Sequence, residues 1–158
     1  MKQRKSVAQL LAGHPFLAGT KPSVRKLFCD CAAIEWFNEG QRLFCEGGPA
    51  EQFYLINNGQ VLLEVAVPGG HPLTIQAIGP GEALGWSWLF PPYEWRFTAT
   101  AVRPTEAVVF DAKALREQAQ LHHKFCYELV LRLAGVLAGR LEDLRTRLLY
   151  ALQERRKS

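Results

Sequence analysis

The chain has 158 residues, 48% hydrophobic and 22% charged, enough for one globular domain that buries roughly 70% of its unfolded surface. Its formal charge of +4 is modest and largely terminal, on Lys2, Arg4 and Lys5 at one end and Arg155, Arg156 and Lys157 at the other, so direct DNA binding is not expected. No stretch approaches the roughly 20 apolar residues of a membrane span, and Gln9, His14 and Pro15 break the run that would make a signal peptide; a cytoplasmic protein is expected.

From Ser6 to about Phe28, Val7, Leu10 and Leu11 and then Val24, Leu27 and Phe28 recur at helical spacing, interrupted by His14-Pro15 and Lys21-Pro22. This predicts two short helices joined by a turn. Cys29 and Cys31 follow, and with Cys45 and Cys126 they read as reduced thiols, since the spacing lacks a second matching pair. From Ile34 to Phe110 the pattern changes to short apolar bursts at Arg42 to Cys45, Phe53 to Ile56, Val61 to Val67, Leu73 to Ile78 and Val108 to Phe110. Strands at this spacing predict a small barrel or double-sheet roll. Between them, Asn57-Asn58-Gly59 predicts a tight hairpin and Pro68-Gly69-Gly70 a looser one.

Asp111 is a candidate helix cap, and about forty helical residues follow, with a break predicted near His122-His123. Val130, Ala134, Leu137, Leu141, Leu144, Leu148 and Ala151 form one stripe along the last helix, and Leu129, Leu133 and Val136 a second. Two arrangements are open: one stripe serves the domain and the other pairs with a second copy, or both pack within one subunit. Gly135 and Gly139 each weaken the helix by roughly 1 kcal/mol relative to alanine, but they permit close helix approach. The fold expected is mainly β with flanking helices: a β-roll of the double-stranded β-helix or jelly-roll type, with short amino-terminal helices and a long carboxy-terminal helix. It is one domain, 1–158, with helices in 6–33, the roll in 34–110 and the closing helices in 112–152.

Two segments, Gly40 to Gly59 (GQRLFCEGGPAEQFYLINNG) and Gly81 to Ala101 (GEALGWSWLFPPYEWRFTATA), carry a resemblance to the cyclic nucleotide-binding domain superfamily and its catabolite activator-like sensors. His14-Pro15-Phe16-Leu17 resembles that family's helical beginning and Phe110-Asp111 the end of its last strand. The resemblance implies a regulatory domain whose ligand is cyclic AMP or cyclic GMP and whose last helix forms a homodimer seam. A helix-turn-helix reader needs tens of residues beyond that helix, so these residues are expected to act without one.

In the resembled family a Gly-Glu pair opens a short helix. Its main-chain N–H groups face the cyclic phosphate, the glutamate holds the ribose, and an arginine about ten residues on pairs with the phosphate. Placing the cassette glycine at Gly85 puts Trp86 where the glutamate stands, with Ser87, Trp88, Leu89 and Phe90 forming the short helix and Pro91-Pro92 ending it. An indole stacks and donates but cannot accept from a hydroxyl. Counting ten from Trp86 reaches Arg96, whereas counting back eight from Thr105 reaches Phe97. Side chains alternate faces along an extended segment, so Arg96 is either an anion ligand or a surface charge. Thr98 and Ala99 stand where small residues follow the family's arginine. The candidate ligand-binding residues are therefore Gly85, Trp86, Ser87, Trp88, Arg96, Thr98 and Ala99.

Trp86, Trp88, Phe90, Tyr93, Trp95 and Phe97 crowd six aromatics into twelve residues. They are a wall for a planar ligand, core filling, or an exposed patch for a protein partner. No Gly-x-Ser-x-Gly, Walker-type or His-Glu-x-x-His motif occurs, and His14, His71, His122 and His123 are scattered, so neither an enzyme nor a metal or cofactor site is expected. Two functions fit: a regulatory module that binds a cyclic nucleotide or similar phosphorylated planar ligand and signals through its last helix, or a degenerate member of that fold serving as a protein-interaction or dimerisation scaffold.

Overall fold

The computed structural model describes residues 4–158, so Lys2 of the basic start lies outside the described residues. Ser6 opens α1 (Val7–Gly13) with a reciprocal cap: its hydroxyl accepts from the Gln9 N–H while the Gln9 side chain accepts from the Ser6 N–H. A single 3₁₀ turn (Pro15–Leu17) leads to α2 (Pro22–Asp30). Eight strands follow: β1 (Ala32–Phe37), β2 (Arg42–Phe44), β3 (Gln52–Asn58), β4 (Val61–Val65), β5 (Leu73–Ile78), β6 (Ala83–Leu84), β7 (Thr98–Ala101) and β8 (Thr105–Asp111). Asp111 caps α3 (Ala112–Leu121) by accepting from the Ala114 N–H at 2.7 Å, and the expected break at His122 separates it from α4 (His123–Lys157).

The strands form two antiparallel four-stranded sheets, ordered β1-β8-β3-β6 and β2-β7-β4-β5. Alternation along β3 decides what each layer contains. Phe53 sits beside Phe110 and faces the helices, in a chain of rings with Phe16 (5.4 Å), Phe28 and Phe125. Tyr54 points the other way, into the roll, against Phe44 at 5.8 Å. Both faces of β3 are thus covered, and Phe53, Tyr54, Leu55 and Ile56 are all buried.

One turn differs from expectation. Pro68-Gly69-Gly70 does close the β4–β5 hairpin. Asn57-Asn58-Gly59, however, closes none, because β3 pairs with β8 and β6 while β4 pairs with β7 and β5. The Asn-Gly segment is the corner at which the chain crosses from one sheet to the other. Gly59 takes φ +94°, and a methyl group there would meet Pro104 O at 2.5 Å.

His14 fastens the amino-terminal helices to this corner. Its ring is buried, with Nε2–H donating to Ile56 O at 3.1 Å and Nδ1 accepting from the Phe16 N–H at 3.2 Å. Burial holds its pKa below the ordinary value despite the opposing bond to Ile56. Along α4, Phe125, Leu129 and Leu133 pack on the domain with Val136 partly buried, so the second stripe is the inward one. Apart from the partly buried Leu137, the first is left uncovered: Val130 is 46% exposed, Leu141 68%, Leu144 55% and Leu148 60%.

Candidate functional site

The cassette begins where β6, paired to β3 at Tyr54 and Leu55, runs out at Gly85. Gly85 takes φ +89°, a left-handed conformation that suits glycine, and turns the chain into a single 3₁₀ turn, Ser87–Leu89. Trp88 is wholly buried, on the helix side of the first sheet at 5.5 Å from Phe53, and its indole N–H donates to Gly85 O at 3.0 Å. Its one donor is spent on the turn that carries it, so Trp88 is a core residue of the cassette and offers no hydrogen bond to a ligand. Ser87 is also buried, and its hydroxyl has no hydrogen-bond partner among the described residues.

After the turn, Tyr93–Trp95 is laced against Gly47–Ala50: Ala50 N–H donates to Tyr93 O at 2.7 Å, Trp95 N–H to Gly48 O at 2.8 Å, and Gly47 N–H to Trp95 O at 2.9 Å. This ladder fixes the phase of the segment that follows. Trp95 and Phe97 are buried and Arg96 between them is exposed. Of the two places left open for Arg96, the structure has the exposed one, with Phe97 in the inward position. Thr98 Oγ1 accepts from the Glu46 N–H at 3.0 Å, which leaves its own O–H free to donate, while Ala99, on the opposite face of β7, is fully buried.

Trp95 enters the roll. Its indole stacks on Phe44 at 3.7 Å between centroids and 10° between planes, with Tyr54 at 6.4 Å. The ring edge lies on Gly85, where a methyl group would come within 2.8 Å of two indole carbons. Trp86 stands outside that stack, edge-on to Phe97 at 5.3 Å.

The helices hold the cassette through two arginines that its local pattern does not announce, because they lie tens of residues downstream. Arg116 of α3 donates to Trp88 O at 2.6 Å and lies over the Tyr93 ring at 4.5 Å. Arg140 of α4 donates to Ala83 O, and its guanidinium covers the Trp86 ring at 4.6 Å. Arg140 is 8% exposed; burial lowers its pKa to about 10 against the opposing pull of Glu82 and Asp143, and it remains a cation at neutral pH. It also borders a groove of about 440 Å³ between α4 and the roll, beside Arg132, Gly135 and Gly139.

The model of the cyclic nucleotide-binding domain family matches residues 34–122. The CRP-like cAMP-activated global transcriptional regulator of Mycobacterium tuberculosis is 28% identical over 108 residues, 68% of this chain and 48% of that protein. The cyclic AMP receptor protein of Thermus thermophilus is 28% identical over 157 residues, covering 90% of this chain and 69% of that protein. The chain thus spans about half the length of the first of these relatives. A cyclic nucleotide-binding protein of Geobacter metallireducens shares the fold with a TM-score of 0.77 at 23% identity, over 87% of this chain and 99% of that one. The chain belongs to the cyclic nucleotide-binding domain family, whose members are regulatory ligand-binding modules.

Proposed function

We propose that this member of the cyclic nucleotide-binding domain family is a regulatory module in which α3 and α4 read the arrangement of the cassette and α4 passes it to a second copy of the chain. The observation that carries this reading is the Arg140 guanidinium, which bridges Ala83 O and the Trp86 ring from the helix that also bears the uncovered stripe. Any shift of Trp86 changes what this buried cation touches. A buried charge tolerates little loss of partners, so the helix must follow. The exposed leucines supply the outlet: each half-exposed leucine buried against a second helix contributes about 1 kcal/mol. From Val130 to Leu148 they run roughly 27 Å at 1.5 Å per residue.

The ligand that family membership brings is cyclic AMP or cyclic GMP. Main-chain N–H groups at the start of the Ser87–Leu89 turn and the unpartnered Ser87 hydroxyl support a phosphorylated planar ligand. Trp86 supplies no acceptor for a ribose hydroxyl, and Arg96 faces solvent, so a phosphate there lacks its countercharge. These two departures, together with the buried Trp95, support the second reading, a scaffold of the same fold that regulates by dimerisation without nucleotide.

Sedimentation and titration calorimetry test both. The wild type is expected to sediment as a dimer and Leu144→Asp as a monomer, with Arg140→Ala weakening the dimer although it lies off the seam. A monomeric wild type would end the relay proposal. Saturable heat with cyclic AMP or cyclic GMP, at a dissociation constant below about 100 μM, selects the sensor; none, with the dimer intact, selects the scaffold.

A further inference from the structure

We infer that Trp95 is an intrachain occupant of the cassette's ring slot: its indole fills space suited to a planar bicyclic base, and any such ligand binds only by displacing it. The inference rests on the proposed reading of the cassette as the ligand site and adds what controls access to it. Three observations carry it. The indole lies parallel to Phe44 at 3.7 Å, the geometry of a stacked base rather than of a loosely filled core. Its edge rests on the left-handed Gly85, in the space that a side chain on that residue would take. And Trp95 is 4% exposed yet borders a cleft of about 490 Å³ that also reaches Phe44, Gln52 and Tyr54, so the stack has a side door.

Indole and purine are both fused nine-atom aromatic systems, which makes the slot's class a bicyclic heteroaromatic ring. A tethered ring needs no concentration to occupy it. The three main-chain hydrogen bonds between 93–95 and 47–50 hold the tether in place, and an external base must first bring about a rearrangement whose rarity divides its affinity.

Trp95→Gly is the variant to make, measured by thermal unfolding and by calorimetric titration with indole, cyclic AMP and cyclic GMP beside the wild type. The variant is expected to melt about 10 °C lower, and millimolar indole is expected to restore several degrees of that loss by mass action. At least one cyclic nucleotide is expected to bind it about tenfold or more tighter than it binds the wild type. Nucleotide binding equally tight in wild type and variant would leave the sensor reading standing and overturn the slot. Indole rescue with no nucleotide binding in the variant would support the slot and count against the nucleotide. Absence of indole rescue overturns the slot outright. If Trp95→Gly does not fold, Trp95→Leu leaves a partial hollow in which indole must still raise the melting temperature; failure there is equally decisive.

Discussion

Gly59 and Gly85 are two left-handed glycines with no room for a side chain, and they are closed by different things. At Gly59 the obstacle includes main chain that cannot move aside, Pro104 O and Thr105 Cα, together with the Thr105 hydroxyl, where the chain crosses between sheets. At Gly85 it is the edge of one side chain, the Trp95 indole. The first crowding belongs to the fold, since backbone at a sheet corner cannot withdraw without breaking both strands. The second belongs to the site, because an indole can be cut back by mutation or pushed aside by a competitor. Similar torsions in one chain thus mark an architectural constraint in one place and an adjustable one in the other.

The comparison breaks most easily at the corner. Gly59→Ala combines a left-handed alanine with a backbone clash, and is expected to cost about 4 kcal/mol; urea unfolding should show a largely unfolded chain, and a near-native midpoint would refute the account of the corner. Gly85→Ala is expected to cost about 3 kcal/mol in the wild type but only about 1–2 kcal/mol in a Trp95→Gly background, where the torsional cost alone remains. A double-mutant cycle with no coupling between Gly85 and Trp95 would show that the ring is not what closes that glycine. The smallest effect concerns the corner side alone. His14 has a folded pKa below its ordinary 6.5, so its contribution is complete above that value and is lost as pH falls from 6.5 toward the folded pKa. Unfolding measured between pH 7.5 and 5 should show a loss of stability on the acid side that is absent from His14→Gln. An equal loss in that variant would assign the acid sensitivity to other groups.

Much of the roll was legible in the chain. The bursts at 42–45, 61–67 and 73–78 overlap β2, β4 and β5, Asp111 does cap α3, and the helix does break at His122. β1, β6 and β7 escaped for separate reasons. β1 is a sheet-edge strand of mixed burial, β6 is two residues long, and Thr98–Ala101 carries alanines where strand signals are sought. The Asn57–Gly59 hairpin was misplaced because strand neighbours are decided by long-range partners, here β8 and β7, and an Asn-Gly turn contains no information about them. The same limit applied to the cassette. Alternation said that Arg96 and its neighbours face opposite ways, but only the ladder of 93–95 on 47–50 says which way is in. Nothing in the local pattern could have brought Arg140 to Trp86 across more than fifty residues of chain.

Three of the four tryptophans, Trp86, Trp88 and Trp95, stand in the cassette, and the fourth, Trp36, is 54% exposed on β1. The chain therefore carries its own optical probe. Replacing Trp36 by phenylalanine would leave tryptophan-selective emission that arises from the cassette alone, so that a displaced indole or a disturbed Arg140 contact would be visible as a change of colour or brightness without any label.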